Sequence, residues 1–287
     1  MIQIGLAGWG DHDKLYAAPG AAKNKLGVYS SLFPAVEVDS TFYAVQPERT
    51  LSKWTSETPA DFQFVVKAYQ GMTGHTRDRI PFPSEGAMFK AFRESLQPMI
   101  EADKLAAALF QYPPWFDCTR DNVRVVREAR ARMAGIPCML EFRHRSWFEP
   151  DMQERTLDYM RRDDWIHSVC DEPQIGAGCV PIVEAATDEK LTLVRFHGRH
   201  AEGWLSGNAP NWRDVRYLYR YSEAELAEWA ERLLRLERLS ERVIVIFNNN
   251  SGGDAADNAR QLMAMLGQPV PPLPKPEEPD AEQLSLF

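Results

Sequence analysis

The sequence predicts an α/β fold, a (β/α)8 TIM-type barrel with a disordered C-terminal tail, and three observations carry that expectation. Eight short β-branched or apolar runs recur along the chain, helical patterns lie between most of them, and no dinucleotide fingerprint follows the first run. An open doubly wound sheet is the alternative. GLAGWG at 5–10 spaces its glycines wrongly for the G-x-G-x-x-G such a sheet would carry.

In order, the runs are IQIGLA (2–7), AVEVDS (35–40), FQFVVK (62–67), AAALFQ (106–111), CMLEFR (138–143), WIHSVC (165–170), LTLVRF (191–196) and RVIVIF (242–247). Each has the length and residue types of a buried strand. Pro47 suits a first helical position ahead of Leu51 and Trp54. Residues 85–103 place Met88, Phe89, Phe92, Leu96 and Met99 at helical spacing, and 121–133 repeat Val123, Val126 and Arg130. Ser222 and Glu225 form a capping box ahead of Leu226, Trp229, Leu233 and Leu236. The last helix opens near Asp254, buries Leu262, Met263 and Leu266, and stops at Gly267 before Pro269. Residues 171–190 hold two prolines and two glycines and show no helical pattern. No internal repeat is visible. The barrel is therefore expected to span 1–267, followed by a Pro/acidic linker at 268–282 and a terminal peptide at 283–287.

Composition bounds the function. The chain of 287 residues is 44% hydrophobic and 26% charged, ordinary for a globular protein. A formal charge of −8 argues against sequence-independent coating of nucleic acid, though not against a local basic cleft. Cys118, Cys138, Cys170 and Cys179 form no C-x-x-C pair and no zinc-like spacing with histidines, so they are read as reduced thiols of a cytoplasmic protein. No signal-peptide pattern opens the sequence, and no run approaches the roughly eighteen apolar residues of a membrane span.

Positions i and i+2 of a strand share a face. At the C-terminal ends of the runs, Glu37 with Asp39, Glu141 with Arg143, and Arg195 with His197 therefore point together, separated by the apolar Val38, Phe142 and Phe196. The apolar set suits the helix layer, which turns the polar pairs into the barrel mouth. Lys67, Gln111, Asp171, Asn248 and Asn249 stand at or just past other strand ends. One buried ion pair is usually structural; three pairs converging on one end suit a ligand site better, because each buried ion costs several kcal/mol unless paired. Metal clusters prefer His, Asp and Glu without cations among them, whereas Lys67, Arg143 and Arg195 suit an anion such as phosphate. No metal is assigned, and the cofactor stays open. NNNSGGD at 248–254 precedes a helix and either cradles phosphate or is a plain cap with glycine turns. His144, His197 and His75 are candidate proton shuttles. Segment 199–221 interleaves Arg199, Arg213, Arg216 and Arg220 with Trp204, Trp212, Tyr217, Tyr219 and Tyr221. It is read as a lid with its rings on the barrel and its arginines in water, ahead of a nucleic-acid grip. The loop at 68–83, with Thr73, His75, Arg77 and Arg79, could close over the same mouth.

GWG (8–10), VEVDSTFY (36–43), FVVKA (64–68), FQYPPWF (110–116), LEFRHRSW (140–147), VRFHGR (194–199), FNNN (247–250) and DNARQL (257–262) together resemble the YecE-like family, domain of unknown function 72. The resemblance covers nearly all of residues 2–266 and implies a TIM-type barrel. It implies no settled reaction. Some barrels of the family look like the endonuclease IV type, which would suggest DNA as ligand, but that type needs a histidine-rich three-metal cluster whose residues this chain lacks. Carried over as site residues are Glu37, Asp39, Lys67, Glu141, Arg143, His144, Arg195, His197 and Asn248. MTGHTRD (72–78) is a looser version of the family's Thr-His segment, which weakens the case for His75.

Residues 268–282 are mostly Pro, Glu and Asp, a composition that stays extended and solvated. The terminal QLSLF resembles the pentapeptide with which bacterial polymerases and repair proteins bind the DNA sliding clamp. The resemblance implies that Gln283, Leu284, Ser285, Leu286 and Phe287 form the peptide, with Gln283 in one subsite and Leu286 and Phe287 in an apolar pocket. By average residue usage such a match at a given position arises on the order of once in 10⁵–10⁶ trials. Tethering would raise the effective concentration near DNA without a basic face. The expected function is a clamp-associated hydrolase or nuclease of DNA repair or replication. It would act on a phosphate-containing DNA or nucleotide substrate, with Arg143, Arg195 and Lys67 on the phosphate and Glu141, Asp39 and His144 or His197 in acid–base work. The alternatives are a barrel enzyme on a small anionic metabolite and a non-catalytic nucleotide- or DNA-binding module.

Overall fold

Why the eight runs become one closed sheet follows from their alternation with helices: parallel strands need long crossovers, and helices supply them. The computed structural model describes residues 1–76, 80–205 and 215–274. The strands are β1 Ile2–Ala7, β2 Ala35–Val38, β3 Gln63–Lys67, β4 Leu105–Gln111, β5 Cys138–Glu141, β6 Trp165–Asp171, β7 Leu191–Phe196 and β8 Arg242–Phe247. Each pairs in parallel with the next, and β8 pairs with β1, so the barrel closes. Gly5 belongs to that closure: a Cβ there would overlap the carbonyl of Ala35 on β2. Tyr29 locks the same seam, its hydroxyl accepting from Leu6 N–H and donating to the Ala35 carbonyl, both at 2.8 Å.

Helices cover the outside. Glu48–Ser56, Arg120–Arg132, Glu223–Leu236 and Ala255–Met265 match the expected patterns. The reciprocal capping box of Ser222 and Glu225 is formed. The pattern at 85–103 divides into Glu85–Ser95 and Gln97–Glu101, with Pro98 in the first turn of the second piece. Helices Lys25–Ser30 and Gln153–Arg162 were not anticipated; the second buries only Thr156, Leu157, Tyr159 and Met160 among charged neighbours. Residues 172–190 contain no helix. Among the described residues no helix is long and apolar enough to cross a membrane.

Strand parity divides the core in two. Outward side chains such as Val36, Phe64, Leu140, Val194 and Phe247 join the helices in one large cluster. Inward ones (Ala35, Val65, Leu109, Met139, Ile166, Leu193 and Ile246 among them) form a separate apolar plug. The plug is what the charged residues above it rest on. The expected linker starts attached: Val270 and Leu273 pack against the core, Gln268 Nε2 donates to the Ile2 carbonyl at 2.9 Å, and Arg260 donates to the Pro271 carbonyl at 2.7 Å. Two apolar side chains among the prolines explain why this stretch does not leave the barrel at 267. The peptide Gln283–Phe287 lies outside the described residues.

Candidate functional site at the barrel mouth

Two residues along each strand from the apolar plug, the inward parity turns ionic. Arg195 donates from Nε and Nη2 to the Glu37 carboxylate at 2.8 and 2.5 Å, and from Nη1 to Glu141 at 2.7 Å. Ser168 Oγ donates to the same Glu141 oxygen at 3.1 Å. Glu37 and Glu141 are wholly buried and Arg195 is 1% exposed, so this is a sealed layer beneath the mouth rather than its surface. Above it, Arg143 donates from Nη1 to Glu141 at 3.1 Å and places Nη2 3.0 Å from Glu172. Buried His197 lies 3.3 Å from Glu141 through Nε2, 3.1 Å from Arg143, and 3.1 Å from Asn248 Nδ2 through Nδ1.

Electrostatics follow from this stacking. Burial pushes Glu37 up to about 7 against the pull of Arg195. Burial likewise raises Glu172 to about 7, opposed by Arg143 and by the Val180 N–H it accepts. For Glu141 burial is outweighed by Arg195, His197 and Arg143, which hold its carboxyl well below the usual range. Burial and the two guanidiniums hold His197 well below its ordinary value, so its imidazole is neutral.

The two raised carboxyls make a testable sign. A group whose folded pKa exceeds its unfolded one stabilises below the unfolded value and loses that contribution as pH rises through the folded value. Glu172→Gln is expected to gain stability relative to the parent as pH rises from about 4.5 towards 7, with a slope approaching about 1.4 kcal/mol per pH unit. Urea unfolding across that range measures it. A flat difference would show that Glu172 is ionised throughout.

A cavity of about 1320 Å³ opens over this layer, lined by Asp39, Lys67, His75, Gln111, Arg143, Asn248 and the loop Asn250–Gly253, with Phe42, Trp115, Trp204, Arg216 and Tyr217. Lys67 Nζ lies 3.3 Å from Asp39 and 4.8 Å from the Phe42 ring centroid. The Arg143 and Arg216 guanidinium carbons stand 4.7 and 3.9 Å from the Trp204 ring centroid. Arg143 Nε and Arg216 Nε are buried without a hydrogen-bond acceptor, and Arg143 Nη2 meets Glu172 as an ion pair without hydrogen-bond alignment. His75 turns Nδ1 to the Thr73 hydroxyl at 2.9 Å, and burial with Lys67 and Arg143 lowers it to about 4.

The structure thus brings Asp39, Lys67, Gln111, Arg143 and Asn248 to the cavity and seats Glu37, Glu141, Arg195 and His197 in or beside the sealed layer. Three residues go elsewhere. Asp171 ends β6 on the outward parity, accepting from Trp229 Nε1 at 2.6 Å and Arg199 Nε at 2.8 Å in the helix layer. The inward neighbour is Glu172, which sequence reasoning missed although Ser168 and Cys170 set its parity. Asn249 also turns outward, donating to the Tyr219 carbonyl at 2.8 Å and to Asn258 at 3.0 Å. His144 lies past the end of β5 and caps the turn Arg145–Trp147, its Nδ1 accepting from Ser146 N–H at 3.3 Å.

Segment 199–221 departs from the expected lid in two of its arginines, Arg199 and Arg216. Arg199 pairs with Asp171 and Glu225, and Arg220 with Asp254 and Asp257, but Arg216 turns inward over Trp204. Trp212 and Arg213, like Arg77 and Arg79, lie outside the described residues. The loop at 248–254 does line the cavity, yet Asp254 at the N-cap and Asp257 in the first turn of the helix behind it oppose an anion at that helix end.

Among the described residues one group could offer metal ligands: Glu141, Cys170 and His197, with ligand atoms within 4.8 Å of one another. Arg143 and Arg195 already bond Glu141 and crowd the His197 ring. A cation entering there would meet two fixed positive charges, so this donor set fits a metal poorly.

Fold and site define a parallel eight-stranded barrel protein with a cation- and aromatic-lined cavity at the C-terminal ends of its strands. The chain belongs to the family described as "Protein of unknown function DUF72", whose model matches residues 3–283. It is 57% identical over 267 residues to the UPF0759 protein YunF of Bacillus subtilis, covering 93% of this chain and 95% of that one. A DUF72 family protein of Enterococcus faecalis superposes with a TM-score of 0.88 at 37% identity, covering 98% of this chain and 100% of that one. One from Thermotoga maritima gives 0.77 at 29%, covering 93% and 100%.

Proposed function

We propose that the barrel mouth binds a phosphate-bearing substrate and that the protein is a hydrolase of DNA maintenance, carried to DNA by its C-terminal peptide. The observation that carries the anion site is Arg143: 2% exposed, lining the cavity, with Nε unspent as a donor, Nη2 held only by the ion pair to Glu172, and Arg216 and Lys67 lining the same space. Buried donors without acceptors are costly, and a phosphate oxygen would satisfy several at once. The groups placed to move a proton at the substrate are Asp39 and the neutral His75, since Glu141 and His197 stand behind Arg143. Phosphate release from single-stranded and damaged DNA and from nucleotides, with and without divalent metal, tests the reading. Turnover that Arg143→Ala leaves unchanged would remove the mouth from the reaction.

The tail is tested separately. A sliding clamp should capture the full chain in a pull-down and lose it on the double change Leu286→Ala and Phe287→Ala. Undiminished capture would sink the clamp assignment without touching the mouth.

A further inference from the structure

The mouth carries its charges at the floor and its rings at the rim, and that order restricts the ligand. Phe42, His75 and Trp115 form one wall, with ring centroids 5.0 and 6.1 Å apart, and Tyr43 continues it from Phe42 at 5.3 Å. Tyr43 and Trp115 are each 54% exposed, whereas Arg143 is 2% exposed. Lys67 Nζ, 4.8 Å from the Phe42 centroid, joins wall to floor. Clustered aromatic rings lining a concave site are the usual seat for a flat apolar group of the ligand.

Resting on the reading of the mouth as an anion site, we propose that its ligand is a phosphate monoester bearing a flat ring, in chemical class a nucleoside 5′-monophosphate. Its phosphate sits on the Arg143 floor and its ring on the Phe42–His75–Trp115 wall. A phosphodiester within a strand has two ester arms, and both would have to pass the rim for its oxygens to reach a guanidinium so deeply buried. A monoester has one arm and close to two negative charges at neutral pH, matching Arg143, Arg216 and Lys67.

Calorimetric titration of the full chain with nucleoside 5′-monophosphates, ribose 5-phosphate and the phosphate methyl ester of the best nucleotide tests both halves. A nucleotide should bind about tenfold or more tightly than ribose 5-phosphate. Trp115→Ala should erase most of that margin, lowering nucleotide affinity about tenfold and ribose 5-phosphate affinity far less, and methylation should weaken binding about tenfold. Equal affinity for nucleotide and ribose 5-phosphate overturns the ring seat, and equal affinity for the methyl ester overturns the monoester. If ribose 5-phosphate binds and Arg143→Ala abolishes it, the anion site survives either loss. If no phosphate compound binds the parent protein, anion site and ring seat fall together.

Discussion

Arg195→Met is expected to cost about 3–5 kcal/mol of stability at neutral pH, the largest effect of any single change in the mouth. Removing the guanidinium strips Glu37 of both its charge-assisted hydrogen bonds and Glu141 of its shortest one, in a layer no more than 1% exposed. The cost is chiefly that of leaving carboxylates buried without a partner. Adding Glu37→Gln and Glu141→Gln should therefore return much of it, since a neutral amide needs no counter-charge. Urea midpoints of the single and triple variants measure the difference. A single variant within 1 kcal/mol of the parent would mean that the layer is not a sealed ion network.

Arg143→Ala should do the reverse, moving binding more than folding. Its Nε lacks an acceptor, and the charge it leaves behind is shared between Glu141, still held by Arg195, and Glu172, its ion-pair partner, which burial already favours protonated. A charged hydrogen bond lost from a ligand is worth about 1.5–3 kcal/mol, so phosphate-ester affinity should fall about 10- to 100-fold. Arg143→Lys should recover only part of this, because an ammonium cannot reproduce the planar fork. Calorimetry on variants of checked thermal stability gives the answer, and an unchanged Kd for Arg143→Ala would place the anion elsewhere.

What the sequence made legible follows from where a strand's alternation holds. The closed barrel was readable because its eight runs are apolar and most are separated by helical patterns. Glu37, Asp39, Arg143, Arg195 and His197 were readable because they continue an inward parity within or just past a strand. Asp171 is singled out only for its place just past the run ending at Cys170, whereas the strand continues through Asp171 and its alternation brings Glu172 inward. Past β5 and β8 the chain leaves the sheet, and His144 and Asn249 answer to a local turn and to Asn258 instead. Arg216 and Trp204 come from an irregular segment with no period to read, and only the cavity reveals that both face inward. The combination of arginine and aromatic residues in that segment was a signal of composition, not of direction.

Arsenate, a phosphate analogue whose heavy atom is located by anomalous scattering, offers the most direct test of the mouth as an anion site. In crystals of the full chain grown with it, an arsenic peak is expected with oxygens within about 3.2 Å of the Arg143 guanidinium. A peak only elsewhere on the protein, or none at the mouth, would contradict the anion site.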